Sequence, residues 1–293
     1  MNPTASCILV LFLVSGCELY NQEQYQEYYA VEAYLIAGHQ MPSVWVTKTT
    51  SIDDFFYWDS VGVSNANVQV RLLSNDHAVS ESYGFMHGNH GKYYPADSVI
   101  VKSNRWYQLK VDLPGGDVIV AETFVPGTFK TVKQPKPAYL YQGEVPIEIV
   151  STRSSFPGRQ TYYYITVNAE NPVENKLTPF YRDLVNRNGE FIKAYIKNTI
   201  GITNEESYQT NKDGNIIIRV PWAAIAFYGQ NDIVINAIDD NIYDFLRSQN
   251  GQRDARLSVS LGEIQNIRYN VDGGIGIFGS MASVVSRVEI KKP

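Results

Sequence analysis

Apolar and polar residues alternate along short stretches of this chain, and turn-forming residues separate the stretches. The segment 66–72 has an apolar residue at every second position, which places these side chains on one face of a strand. Segments 106–111 and 118–122 flank a Pro-Gly-Gly-Asp sequence at 114–117, whose glycines permit the positive φ of a tight hairpin turn. Short strands at this spacing are typical of β-sandwiches and barrels, so we predict a mainly β protein.

The remaining β-rich runs continue to the C-terminus, and one helix interrupts them. The helix is predicted to begin at Asp239, Asp240 or Asn241 as N-cap and to end near Asn250-Gly251. The other predicted strands are 31–36, 44–47, 145–150, 162–167, 191–196, 216–220, 233–238 and 284–290.

A basic, proline-containing stretch at 130–137 breaks the strand pattern, because proline cannot donate to a β-ladder. We place a domain boundary there. The prediction is an N-terminal β-sandwich domain at 29–132 and a β-rich C-terminal domain with one short helix at 133–293.

The start of the chain has the pattern of a lipoprotein leader. An apolar run at 8–14 is followed by Ser15-Gly16-Cys17 and then by polar residues. We predict a signal peptide at 1–16, acylation of Cys17 and a polar tether at 17–28; a buried strand that ends in a cysteine is the alternative. The run is shorter than the roughly 20 residues of a membrane-spanning helix. Both cysteines of the chain, Cys7 and Cys17, lie in this region, so no disulfide is predicted.

Composition narrows the classes of partner. The chain has 25 Lys and Arg against 30 Asp and Glu, a formal net charge of −5, and no basic stripe, which argues against nucleic-acid binding. Its 21 tyrosines suit strands and wet binding surfaces.

Motifs for catalysis and cofactors are weak. Residues 274–279 match G-x-G-x-x-G, but the sequence up to Pro293 leaves no room for the βαβ unit or for the ribose-binding acidic residue about twenty positions later. A glycine-rich turn packed against a sheet is therefore the better interpretation. His87 and His90, with Asp76-His77 upstream, favour a solvated loop over a metal site. No nucleophile elbow, H-E-x-x-H or Walker loop occurs, so we predict a non-enzymatic protein without cofactor or metal. Scattered carboxylates of the glycosidase kind are the alternative.

Four consecutive aromatic residues, Phe55, Phe56, Tyr57 and Trp58, are the candidate binding residues. A half-exposed strand cannot bury all four, and exposed aromatic groups often anchor a partner protein, a sugar ring or a lipid headgroup. The alternative is that two point into the core and two cover a sheet edge. For the tyrosines at 28–29 and 162–164 we expect core strands.

The C-terminal region resembles the closing motif of a Bacteroidota lipoprotein family that is catalogued as a domain of unknown function. The similar segments are 236–246, 264–267 and 270–279, together with the strand 31–35 and a V-x-x-A-x-V-x-V pattern at 63–70. Pro221-Trp222 and a short leader depart from the family pattern. The resemblance implies an outer-membrane lipoprotein, commonly encoded beside a TonB-dependent receptor, with an immunoglobulin- or transthyretin-like first domain and no known catalytic residues.

These observations lead to a functional hypothesis. We expect a lipid-anchored accessory protein on either face of the outer membrane that binds a TonB-dependent β-barrel transporter or its cargo. A surface protein that binds or cleaves glycans through the residues at 55–58 is one alternative, and a structural envelope component is another.

Overall fold

The computed structural model describes residues 25–51, 53–188, 192–255 and 267–293. The predicted signal peptide and Cys17 lie outside the described residues. Within them the protein is mainly β, as predicted. In chain order the strands are β1 (Tyr29–Ile36), β2 (Val44–Lys48), β3 (Asn67–Leu73), β4 (Val79–His87), β5 (Lys92–Pro95), β6 (Arg105–Asp112), β7 (Val118–Val125), β8 (Thr131–Lys133), β9 (Ala138–Leu140), β10 (Ile147–Ser151), β11 (Tyr162–Ala169), β12 (Lys197–Asn204), β13 (Gln209–Thr210), β14 (Ile216–Val220), β15 (Gly229–Ile238), β16 (Val271–Asp272) and β17 (Ile275–Lys291).

Most strands belong to one large mixed sheet of 13 strands. Its order is β12-β11-β15-β17-β1-β2-β5-β4-β3-β6-β7-β16, and β9 pairs with β17 outside this path. The pairing of β1 with β17 is parallel and sets Ala30 against Ile275. A second sheet has the order β13-β14-β10-β8.

The first half of the chain folds in a β-sandwich-like way because β4 takes part in two layers. Its first residues pair with β3, and Phe85 to His87 pair with β5. Alternate residues of both layers, among them Val31, Val46, Val68 and Leu109, are buried in one apolar cluster. The hairpin predicted at 114–117 is confirmed, with Gly116 at φ +92°.

Strand pairing crosses the predicted boundary at residue 133. The first strand pairs with the last, and β7 pairs with β16. The same apolar cluster contains residues of the second half, including Ile149, Tyr163 and Ile218. The two halves are therefore joined by backbone hydrogen bonds and by a shared core, while the division at 133 stays a prediction.

Three α-helices lie in the described parts of the chain: α1 (Trp58–Val61), α2 (Pro179–Asn188) and α3 (Asp240–Ala255). The predicted helix corresponds to α3, but its predicted end at Gly251 is wrong. A glycine inside a helix costs about 1 kcal/mol, which a packed helix tolerates. None of the described helices is long and apolar enough to span a membrane.

The strand predicted at 191–196 is wrong over the described residues, because Ile192–Tyr195 form a 3-10 helix. Its two end residues are three positions apart and share a face in that geometry. Tyr195 packs edge-on against Tyr181 of α2, with ring centroids 4.8 Å apart. Helix α2 was not predicted. Its apolar residues Tyr181, Leu184 and Val185 have helical spacing and pack in a cluster with Phe227.

Candidate functional site

The aromatic residues at 55–58 are all exposed, from 84% of the side chain at Phe55 to 53% at Trp58. The alternative interpretation, in which two of them enter the core, is wrong. The reason is local: the chain leaves the extended conformation and forms the single turn α1, in which only Val61 is buried. Residues 55–57 precede this turn and Trp58 is its first residue, and the side chains of all four lie outside the core.

Trp58 packs on the sheet through Trp45 of β2. Their ring centroids lie 5.5 Å apart, and Phe56 meets Trp58 edge-on at 5.1 Å. The ammonium group of Lys92 lies 5.0 Å from the Trp45 ring centroid, within the range of a cation–π contact. The aromatic segment is thus fixed against the sheet at Trp58 and projects from it at Phe55.

An apolar cleft of about 580 Å³ lies beside Trp58. Its floor is the outward face of β17, β1 and β2. Strand alternation explains this face: Val31 and Val46 are buried in the core, whereas Glu32, Tyr34 and Trp45 point to the cleft.

The facing wall of the cleft is one stripe of helix α3. Ile242, Phe245, Leu246 and Gln249 follow the i, i+3, i+4, i+7 spacing of a single helix face, and all four line the cleft. Trp58 lies at the rim. The cleft has the size and the largely apolar lining of a small-ligand or side-chain pocket.

Electrostatically the cleft has little charge. Burial and the nearby Glu32 carboxylate raise the pKa of Tyr34 well above its usual range, so Tyr34 stays a neutral phenol. Glu32 is the one acidic side chain among the described lining residues. The surface is suited to apolar and aromatic contacts, with Glu32 as a charged hydrogen-bond acceptor.

Exposed aromatic residues concentrate around this cleft. Of the nine exposed aromatic side chains that the structure describes, eight lie on the cleft, on the 55–58 segment or beside them, and Phe180 on α2 is the ninth. We call this surface the aromatic face. It consists of Tyr25, Tyr28, Phe55, Phe56, Tyr57, Trp58, Tyr94 and Tyr269.

A second cluster, buried and polar, joins α3 to the sheets. Asp239 caps α3 by accepting a hydrogen bond from the Ile242 amide at 2.9 Å, and it accepts another from Thr123 Oγ1 at 2.5 Å. Ser280 Oγ lies 2.6 Å from Thr123 Oγ1. Burial raises the pKa of Asp239 to about 7. Since Asp239 and Ser280 are almost completely buried, this cluster is a structural joint between β7, β17 and α3 rather than a reactive site.

Two asparagines complete the joint. Asn241 and Asn270 both donate from Nδ2 to the carbonyls of Glu122 and Phe278, and Asn270 Oδ1 accepts from the Phe278 amide.

In the glycine-rich segment 274–279, Gly276 has φ +113°, and a Cβ there would lie 2.0 Å from the Val31 carbonyl oxygen. The glycine-rich segment predicted as a turn is therefore mostly strand, although the predicted close approach to the sheet is real.

The histidines do not assemble a metal site in the described residues, where no group of three or more His, Cys, Asp or Glu side chains converges. His90 lies in a turn with φ +50°, and its Nδ1 is 2.5 Å from Asp59 Oδ1. This contact ties the turn at 90 to α1 and helps to position the aromatic segment.

Comparison with known proteins places the chain in a family. A family profile described as "Domain of unknown function (DUF4249)" matches residues 18–287. The chain belongs to this family. The match spans both halves of the molecule, the aromatic face and the polar joint. A search of the curated proteins finds no match.

Solved structures give remote likenesses to this DUF4249 member. The crystal structure of Salmonella alpha-2-macroglobulin reacted with methylamine aligns with 90% of this chain and 15% of its own, at 7% identity and TM-score 0.25. Trypsin-activated alpha-2-macroglobulin from Escherichia coli aligns with 73% of this chain and 14% of its own, at 9% identity and TM-score 0.21. The chain thus spans about one seventh of these proteins, and TM-scores this low carry no argument about fold or function.

Proposed function

We propose that this protein is a non-enzymatic lipoprotein of the Bacteroidota outer membrane, anchored through acylated Cys17, that contacts a TonB-dependent β-barrel transporter through its aromatic face. The observation that carries the proposal is the concentration of eight of the nine described exposed aromatic side chains on one face beside an apolar cleft. Exposed Trp and Tyr side chains that cluster beside a pocket are the usual anchors of protein interfaces.

The lipid anchor is supported by the sequence at the start of the chain. The apolar run at 8–14 and Ser15-Gly16-Cys17 have the order of a signal peptide and its lipobox. The family match begins at Glu18, directly after Cys17. This start agrees with a mature chain whose first residue is the acylated cysteine.

Acylation is tested by growing producing cells with a labelled fatty acid. Cys17→Ser should abolish labelling and release the protein from the membrane fraction, because it removes the only thiol at the lipobox. Cys7→Ser is the matched control and should label like the wild type. Equal labelling of both variants would remove the anchor from the proposal.

The partner is tested by photo-crosslinking in native outer membranes. A benzophenone amino acid in place of Tyr57 should give a crosslink to an outer-membrane β-barrel, identified by mass spectrometry. The same probe at Phe180, which is also more than half exposed but lies on α2, is the control. Repeated absence of a barrel from the position-57 products would refute the partner.

A glycan is a second candidate ligand, because Trp45 and Trp58 form a tilted aromatic pair and Glu32 supplies a carboxylate in the same cleft. Sugar rings stack on aromatic faces and donate hydroxyl hydrogens to such acceptors. Glycan-array binding that is lost in Trp58→Ala and kept in Phe180→Ala would favour this function over the transporter partner.

A further inference from the structure

The first described residues of the chain are held beside the end of β2. The Tyr25 hydroxyl lies 2.6 Å from Thr49 Oγ1, and the Tyr28 amide donates to the same oxygen at 2.9 Å. Glu27 forms an ion pair with Lys48 at 2.9 Å. Thr49 follows directly after β2 and precedes the aromatic segment in the chain. These contacts therefore hold Tyr25 and Tyr28 at Thr49, six positions before Phe55.

Five exposed aromatic side chains lie on the two stretches of chain that precede β1 and follow β2. Tyr25 and Tyr28 are 47% and 46% exposed, and the other three are the exposed residues 55–57 of the aromatic segment. We call this group the aromatic tip; its members are Tyr25, Tyr28, Phe55, Phe56 and Tyr57. Tyrosine carries an apolar ring with a polar end, which suits it to the boundary between lipid headgroups and acyl chains.

The distance from the anchor is short. Eight peptide units separate Cys17 from Tyr25, so the two α-carbons are at most about 29 Å apart even in a fully extended chain. If the acyl chains of Cys17 lie in a leaflet, the aromatic tip is the part of the folded protein that the tether holds nearest to that leaflet.

The charged residues around the aromatic tip limit the type of lipid surface that the tip can contact. Asp53 and Asp54 are exposed beside Phe55, and the nearby Lys48 is already paired with Glu27. Carboxylates at this position would be repelled by anionic headgroups, since unpaired like charges in proximity are unfavourable. A zwitterionic surface has no such cost.

We propose that the aromatic tip inserts into the headgroup region of a zwitterionic lipid surface next to the anchor, as a second membrane contact. The inference rests on the acylation of Cys17 in the proposed function. An acyl tether alone lets the folded part rotate freely, whereas insertion of the tip fixes its orientation. The apolar cleft, which begins at Trp58, then opens close to the membrane plane.

The test uses acylated protein in phosphatidylcholine vesicles, with a single fluorophore on an introduced cysteine. The two labelled chains are Phe55→Cys and, as a control of equal chemistry, Phe180→Cys, both in a Cys7→Ser background. Both positions are exposed, so neither change removes a core contact. Sedimentation with the vesicles reports anchoring, and quenching by brominated phosphatidylcholine reports insertion.

We expect both chains to sediment and brominated lipid to reduce emission at position 55 at least about twofold more than at position 180. Sedimentation with equal quenching at the two positions would overturn the inference and leave the anchor intact. Failure to sediment would overturn both. Replacing part of the lipid with phosphatidylglycerol should lessen the quenching at 55, and an increase would refute the zwitterionic preference.

Discussion

Replacing the buried carboxyl of Asp239 by an amide should remove a large pH dependence from the stability of this protein. In Asp239→Asn, Oδ1 still accepts the Ile242 amide and caps α3. The new Nδ2 donates to Thr123 Oγ1, which then donates to Ser280 Oγ, and Ser280 keeps its 2.9 Å bond to the Phe124 carbonyl. The chain of hydrogen bonds is therefore complete in the variant, as it is when Asp239 is protonated.

The magnitude follows from the pKa of Asp239, which burial raises from 3.8 to about 7. The folded state then binds more protons than the unfolded state between these values. Stability from this group is fully present below the unfolded pKa and is lost as pH rises through the folded pKa. At 1.36 kcal/mol per unit, the wild type should lose on the order of 4 kcal/mol relative to the variant between about pH 4 and pH 8.

The measurement is urea unfolding followed by circular dichroism from pH 5 to pH 8, a range that contains about 2.7 kcal/mol of this loss at 1.36 kcal/mol per unit. Asp76, Glu81 and Asp112 do not interfere in this range, since hydrogen bonds from Ser74, Lys102 and Lys110 respectively lower their pKa values. Asp240→Asn is the matched control: it makes the same charge change one residue away, at a carboxylate that is 60% exposed and paired with Arg159. If Asp239→Asn kept the wild-type pH slope, or if Asp240→Asn flattened it equally, the assignment to the buried carboxyl would be wrong.

Three further substitutions test the joint and the cleft. Gly276→Ala should lower the free energy of unfolding by about 3 kcal/mol or more, because an alanine there would have a φ of +113° and would clash with β1. Gly84→Ala is the control, and it should change the urea midpoint little because there is open space around Gly84. Asn270→Ala removes three hydrogen bonds and should lower the free energy of unfolding by about 2 to 4 kcal/mol in the same assay, and an unchanged value would contradict its role. Trp58→Ala should weaken binding of an anilinonaphthalene dye to the cleft about tenfold without lowering the melting temperature; the same loss in Phe180→Ala would show that the dye binds elsewhere.

The strands were predictable because their signal is local. Alternation at 66–72 and the glycines at 115–116 act within a few residues, and the structure confirms the strand and the hairpin. The N-cap was equally local, since an aspartate before an apolar periodic segment is a common helix start, and Asp239 fills that position.

Pairing between distant strands was not predictable in this way. The sequence around Ala30 does not indicate that Ile275 will be its partner, because the register of strand pairing depends on packing across the whole sheet. The cleft was not predictable for the same reason, since strands β1, β2 and β17 form its floor and α3 forms its wall. Their separate signals were visible: the outward alternation of Glu32 and Tyr34, and the helical spacing of Ile242 with its neighbours on α3.

The partnership of the first and last strands also constrains biosynthesis. Chains are made from the N-terminus, so β1 is complete long before β17 exists, and its hydrogen-bonding edge has no partner during that interval. A sheet closed by such a long-range contact forms slowly, because the loop entropy is lost before the contact is gained. A nascent or truncated chain without β17 thus leaves this edge of β1, next to the predicted tether, open to pairing with other strands.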